Sequence, residues 1–163
     1  DCVLVTGGAG FIGCAISEDL YSWEKLPGPI VVADDAWYER LGTSAWPEEA
    51  WRDPWVFRHD GRWQMLITAR ANHGEVMERG IVGHAVSDDM VTWQVRPPLS
   101  KIGAGFAHIE VPQIVEVLVF RPGAKLLLAS SVGKGFIAPA PALLFMYPIS
   151  QGVHHGVEVR RYL

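Results

Sequence analysis

Trp51-Arg52-Asp53-Pro54-Trp55-Val56-Phe57 is followed by a turn at Asp60-Gly61 and a second apolar run, Trp63-Gln64-Met65-Leu66-Ile67-Thr68. Aromatic and β-branched residues on both sides of an Asp-Gly pair predict an antiparallel hairpin. Strand alternation puts Trp51, Asp53, Trp55 and Phe57 on one face, with Arg52, Val56 and Arg58 on the other. Asp53 is therefore expected among aromatic rings on a partly buried side. A carboxylate in such a place needs either a partner or a task.

Outward from this hairpin the chain repeats itself. Gly10-Phe11-Ile12-Gly13-Cys14-Ala15-Ile16-Ser17-Glu18-Asp19-Leu20-Tyr21-Ser22-Trp23 recurs in register as Gly80-Ile81-Val82-Gly83-His84-Ala85-Val86-Ser87-Asp88-Asp89-Met90-Val91-Thr92-Trp93. Each copy reads as a strand ending in Ala-x-Ser, a turn on x-Asp, and a second strand that starts at Trp. That strand closes on prolines, Pro27 and Pro29 or Pro97 and Pro98. A fainter echo pairs Asp53-Pro54-Trp55-Val56-Phe57 and the run from Trp63 to Thr68 with Glu110-Val111-Pro112-Gln113-Ile114-Val115 and the run from Lys125 to Ser130, after a turn at Pro122-Gly123. In both, an acid opens the first strand and a proline follows closely, as the first residues of a strand allow.

The resulting order is an acid-headed strand, a second strand, an Ala-x-Ser strand and a Trp strand, then the same again. Four-stranded antiparallel sheets repeated around an axis are β-propeller blades, so the expected fold is all-β. Residues 1–30 read as the end of one blade, 51–100 as a complete blade and 109–150 as most of a third, within one partial domain over 1–163. Between two and three blades do not close a ring. The expectation is a fragment of a larger propeller whose open blade edges favour self-association.

Composition narrows the function classes. Of the 163 residues 49% are hydrophobic and 20% charged, as in a globular domain, and a net charge of -4 with scattered Lys and Arg gives no basic field for nucleic acid. The longest apolar runs are strand-sized, so no membrane partner is expected. Cys2 and Cys14 stand in no metal-ligand or redox spacing and read as small buried side chains. The first residue is Asp1 and a strand pattern begins at once, which suggests a missing upstream portion and leaves localisation unread.

Val3-Leu4-Val5-Thr6-Gly7-Gly8-Ala9-Gly10-Phe11-Ile12-Gly13 resembles the opening of the extended short-chain dehydrogenase and epimerase family, which would imply NAD binding between Gly7 and Gly13. The glycines at 10 and 13 belong, however, to a repeat whose second copy has no such motif. The Tyr21-x-x-x-Lys25 spacing also lies too early in the chain for that family's catalytic pair. No metal or cofactor is implied elsewhere: His154-His155 lacks a companion ligand, and His108-x-Glu110 is not followed by the Pro-Cys-x-x-Cys of zinc deaminases.

The Trp-Arg-Asp-Pro motif at 51–54, the two Ala-x-Ser-x-Asp hairpins with their Trp, and Glu110-Val111-Pro112 together resemble the five-bladed propeller glycosidases, nearest to glycoside hydrolase family 32, the β-fructosidases. The resemblance covers residues 10–150. It implies hydrolysis of fructosides such as sucrose, fructan or fructo-oligosaccharides by three carboxylates that converge on the central channel. In that family one Asp is the nucleophile, the Asp of Arg-Asp-Pro stabilises the transition state, and a Glu is the general acid/base. The second matches Asp53 and the third Glu110, while the nucleophile motif has no match here. The family usually carries Glu-Cys-Pro where this chain has Glu110-Val111-Pro112. The alternatives are a family 43-like arabinan or xylan hydrolase, a non-catalytic carbohydrate-binding propeller piece and, most remotely, the epimerase-like nucleotide site.

Glycoside cleavage passes through an oxocarbenium-like state that needs a proton donor and fixed negative charge by the sugar ring. Beside Arg52, Asp53 is suited to stay ionised. Glu110, flanked by Ile109 and Val111, is expected to have its pKa raised by desolvation and neighbouring carboxylates, and so to donate. Arg52 would contact the sugar or tune charge, His108 shares a strand face with Glu110, and Trp51, Trp55 and Trp37 would offer aromatic platforms. Trp23 and Trp93 occupy one repeat position and read as packing.

Overall fold

The computed structural model describes residues 2–6, 10–117, 124–133 and 143–147, with side chains described over 10–114. Its elements are strands and one 3-10 turn, Val76–Glu78. Strand β1 (Cys2–Thr6) runs antiparallel to β2 (Phe11–Ile16), and β3 (Glu24–Lys25) and β4 (Val31–Val32) pair with opposite ends of β2. The middle sheet is a meander of β5 (Arg52–His59), β6 (Arg62–Arg70), β7 (Gly80–Ser87) and β8 (Trp93–Arg96). A third sheet joins β9 (Phe106–Val117), β10 (Ala124–Gly133) and β11 (Leu143–Tyr147). The Pro122-Gly123 turn and the His154-His155 pair lie outside the described residues.

Proline chemistry explains why the last strand of the first sheet is broken in two. Pro27 and Pro29 have no N–H to give a ladder. The backbone bridges the gap with Leu26 N–H to the Cys14 carbonyl and Ile30 N–H to the Ile12 carbonyl, both 2.8 Å.

The dinucleotide reading fails on secondary structure. Gly7 and Gly8 lie outside the described residues, but Phe11–Ile16 is a strand hairpinned onto β1 where a nucleotide fold requires a helix. No helix N-terminus stands there to receive a pyrophosphate. Cys14 is buried, as its reading expected, and is disulfide-bonded rather than a free thiol.

The two Ala-x-Ser turns are built alike. Ser17 Oγ accepts from Leu20 N–H at 2.8 Å and Ser87 Oγ from Met90 N–H at 2.9 Å. Asp19 Oδ1 accepts from Tyr21 and Ser22 N–H at 2.8 and 2.7 Å, and Asp89 Oδ1 from Val91 and Thr92 N–H at the same distances. The following residue takes a left-handed φ in each, 66° at Leu20 and 65° at Met90. The repeated Ser and Asp thus supply the acceptors that a six-residue turn otherwise lacks.

The inner strands β6 and β7 are buried on both faces, which is why Met65-Leu66-Ile67 runs apolar without alternation. Met65, Ile67, Ala69, Ile81 and Ala85 pack with Ile12, Val31 and Tyr38 on the side of the first sheet. Leu66 and Val82 pack with Phe106 and Ile109 of β9 on the other. Each Met, Leu, Ile or Val among them contributes about 1.5–3 kcal/mol on burial. This face-to-face stacking fixes β5 and β9, the two acid-bearing strands, side by side.

Candidate active site

Both acid-bearing strands carry the same irregularity. In β5 the register steps from Arg52 opposite Thr68 to Trp55 opposite Leu66, and in β9 from Glu110 opposite Ser130 to Gln113 opposite Leu128. Each strand has one residue more than its partner, a β-bulge that re-aims the flanking side chains. The extra turn sits on left-handed residues before a proline, Asp53 with φ 53° and Val111 with φ 49°. Asp53 is therefore the structural equivalent of Val111, and Arg52 that of Glu110. The sequence reading of the two acids as equivalents is off by one residue.

The bulge also corrects the expected faces. Trp51 joins the first-sheet side with Val56, while Phe57 packs on the third-sheet side, and Trp55 shares the face of Phe57 by register. Trp51 is 2% exposed, its ring 4.6 Å from that of Tyr38. A ring buried in the core presents no face to a sugar, so Trp51 is packing rather than a platform. Trp37 is partly buried, edge-on to Tyr38. Trp55, at 36% exposure, keeps an accessible ring.

Arg52 gathers the remaining predicted residues. One of its terminal nitrogens donates to Glu110 Oε1 at 2.6 Å and lies 3.2 Å from His108 Nδ1, and its Nε is 3.8 Å from Asp53 Oδ2. Its other terminal nitrogen is held by the Glu49 carbonyl at 3.0 Å. Two strands from neighbouring sheets thus bring Asp53 and Glu110 to a single guanidinium. The three side chains remain between a quarter and a third exposed, accessible to a ligand.

Glu110 is subject to opposed effects. Burial raises its pKa, but the hydrogen bond and charge of Arg52, with the His108 ring beside it, outweigh it, and the carboxyl sits below the ordinary glutamate value. The expected raised pKa is not found, because the Arg52 guanidinium reaches Glu110 as well as Asp53. His108 is lowered as well, by burial first and by Arg52 next, against the pull of Glu110 and Glu48.

Three contributors were not singled out as site residues from sequence. Thr68 Oγ1 donates to Asp53 Oδ2 at 3.0 Å and accepts from Val111 N–H at 3.1 Å, tying one bulge to the other. Glu48 Oε1 lies 3.6 Å from Arg52 and 3.5 Å from His108 Nε2. Trp46 packs tilted against the His108 ring with centroids 4.8 Å apart, and the Arg70 guanidinium lies 3.9 Å from the centroid of the Trp46 ring. Arg70 is itself buried, bonded to Glu39 and to the Ala107 carbonyl at 2.5 Å each, so it also pins β9 beside β6. The Trp46-Pro47-Glu48-Glu49 stretch reads from sequence as at most a helical turn, and it is irregular. Its Pro and paired Glu mark a loop but carry no signal for what the loop faces.

Neither a protein-family model nor a curated protein sequence matches this chain. Solved structures do. A β-fructofuranosidase of glycoside hydrolase family 32 from Bombyx mori, in complex with sucrose, superposes with a TM-score of 0.62 at 19% identity over 86% of this chain. Fructan 1-exohydrolase IIa from Cichorium intybus gives 0.63 at 17% over 92%, and sucrose-6-phosphate hydrolase from Lactobacillus gasseri 0.56 at 20% over 83%. The chain spans 28%, 28% and 26% of those proteins. Identities this low speak to the fold and leave the site to be argued from its own residues. In fold, the chain is a partial β-propeller, all strands in antiparallel blades, of the kind that family 32 fructosidases have.

Proposed function

We propose that this chain supplies part of the active site of a glycoside hydrolase that acts on fructosides, sucrose or fructan-type oligosaccharides among them. Asp53 is the transition-state stabiliser, Glu110 the general acid/base, and Arg52 the residue that contacts the sugar and sets their charge. The observation that carries this reading is the convergence of Asp53 and Glu110, from adjacent sheets, on Arg52. Sucrose bound to the Bombyx mori protein and 1-kestose bound to the Cichorium intybus enzyme are consistent with a fructoside ligand.

The chemistry follows from charge. Asp53 holds negative charge beside a sugar ring that becomes positive as the glycosidic bond breaks. Glu110 must arrive protonated to donate to the leaving oxygen, and Arg52 opposes that while it is bound to Glu110. Transfer of Arg52 to the sugar hydroxyls and to Asp53, 3.8 Å away, releases the acid. A retaining mechanism also needs a nucleophilic carboxylate, and its family motif has no match in this sequence, so the chain alone is expected to bind fructosides and cleave them feebly or not at all. Trp55 supplies the aromatic platform and His108 supports Glu110.

Calorimetric titration of the chain with sucrose and short fructo-oligosaccharides tests the binding half of this proposal. Heat of binding that disappears in Arg52→Met supports it. Xylan or arabinan fragments binding in place of fructosides would move the assignment to a family 43-like hydrolase. The clamp of Arg52 on Glu110 also favours a second reading, a carbohydrate-binding propeller segment that does no chemistry.

A further inference from the structure

His108 is 3% exposed, and its two ring nitrogens meet different company. Nδ1 faces Glu110 Oε1 and the Arg52 guanidinium, each at 3.2 Å. Nε2 is buried with no hydrogen-bond partner, although Glu48 Oε1 stands 3.5 Å away on a half-exposed side chain that also faces Arg52 at 3.6 Å. A small rotation of Glu48 satisfies a nitrogen that is costly to leave bare. Trp46 packs against the ring, and Arg70 of β6 packs on Trp46 and bonds the Ala107 carbonyl next in the chain. Gly80 of β7 backs the site with main chain alone.

We infer that Glu48 is a positioning residue for the acid at Glu110: by accepting the Nε2–H of His108 it holds the imidazole in the tautomer whose Nδ1 lone pair faces Glu110. The inference rests on reading Glu110 as the proton donor. The logic is that of a carboxylate that orients an imidazole through its far nitrogen. Arginine has no acceptor, so a Nδ1–H would be set against the guanidinium, whereas a bare Nδ1 accepts from it. A bare Nδ1 likewise accepts from a protonated Glu110 and repels an ionised one. The tautomer that Glu48 selects is thus the one that stabilises Glu110 in its acid form once Arg52 has moved off. Burial keeps His108 below the ordinary histidine value, so near neutral pH the choice between tautomers is the relevant one.

The test is nitrogen NMR of the histidine rings in the labelled full chain above neutral pH, with His108 assigned by the signals lost in His108→Asn. The expected result is a wild-type ring predominantly protonated on Nε2, and an Nε2–H to Nδ1–H ratio that falls about tenfold in Glu48→Ala, as for loss of one hydrogen bond to a charged group. Glu48→Gln, which keeps shape and an uncharged acceptor, should fall between the two. A wild-type ring protonated mainly on Nδ1, or a ratio unchanged in both variants, would overturn the proposal. The readout uses no sugar: failure to bind fructosides would sink the functional reading and leave this measurement standing, and the reverse holds equally.

Discussion

Arg52 and Glu110 occupy the same station of two successive β-bulges, and they meet at 2.6 Å across the boundary between two sheets. The repeat that builds the propeller therefore also builds the ion pair: one copy presents a guanidinium where the next presents a carboxylate. That pair sets the resting state of the site.

Removing the guanidinium should raise Glu110. Its folded-state pKa is depressed, so the pair contributes stability above the unfolded pKa of about 4.3, and that stability is lost as pH falls through the folded value. In Arg52→Met the Glu110 titration, followed by carbon NMR of its carboxyl, should move upward, and this part of the acid dependence should vanish. An unmoved midpoint would show that Arg52 is not what holds the group down.

Thr68 is fully buried, and its hydroxyl serves both bulges. Thr68→Val keeps the shape but strands the Val111 N–H and removes a donor from Asp53. A loss of about 1–3 kcal/mol in urea unfolding is expected, with Thr68→Ser close to wild type.

Gly80 admits no side chain. A Cβ there would lie 2.7 Å from the His108 nitrogen and 2.8 Å from the Ala107 carbonyl carbon, both main-chain atoms that cannot swing aside. Gly80→Ala should cost about 1–3 kcal/mol by overpacking and push β9 from β7. Ligand affinity should weaken together with stability, since His108 and Glu110 ride on that strand.

The Asp89 turn predicts a second acid-sensitive element. Two backbone N–H groups, those of Thr92 and Val91, hold the carboxyl down at about 2. The group therefore stabilises the fold above the unfolded aspartate pKa of about 3.9, and the benefit fades between there and about 2. Asp89→Ala should be less stable than wild type at neutral pH, and the two stabilities should converge on acidification. Parallel curves at all pH values would count against the turn.

Strand order and turn positions were legible because they rest on local chemistry. Asp-Gly at 60–61, Ser-x-Asp at 17–19 and 87–89, and the prolines at 27 and 29 each act within a few residues. The bulges were not, since a left-handed Asp53 or Val111 before proline has no compositional mark, and one extra residue moved Trp51 into the core and shifted the equivalence of the acids. The sharing of Arg52 depends on two sheets meeting, as do the approaches of Glu48 and Trp46 to His108. Those contacts span roughly sixty residues of sequence and carry no periodic signal.

The deciding experiment is hydrolysis of sucrose and short fructo-oligosaccharides by this chain and by a longer form to which an upstream blade bearing an aspartate nucleophile is added, each alongside Asp53→Asn and Glu110→Gln. Turnover is expected to appear in the longer form and to fall by at least about a hundredfold in either variant. Sugar bound but never cleaved, or cleavage indifferent to Glu110, would contradict the assignment of Glu110 as acid/base.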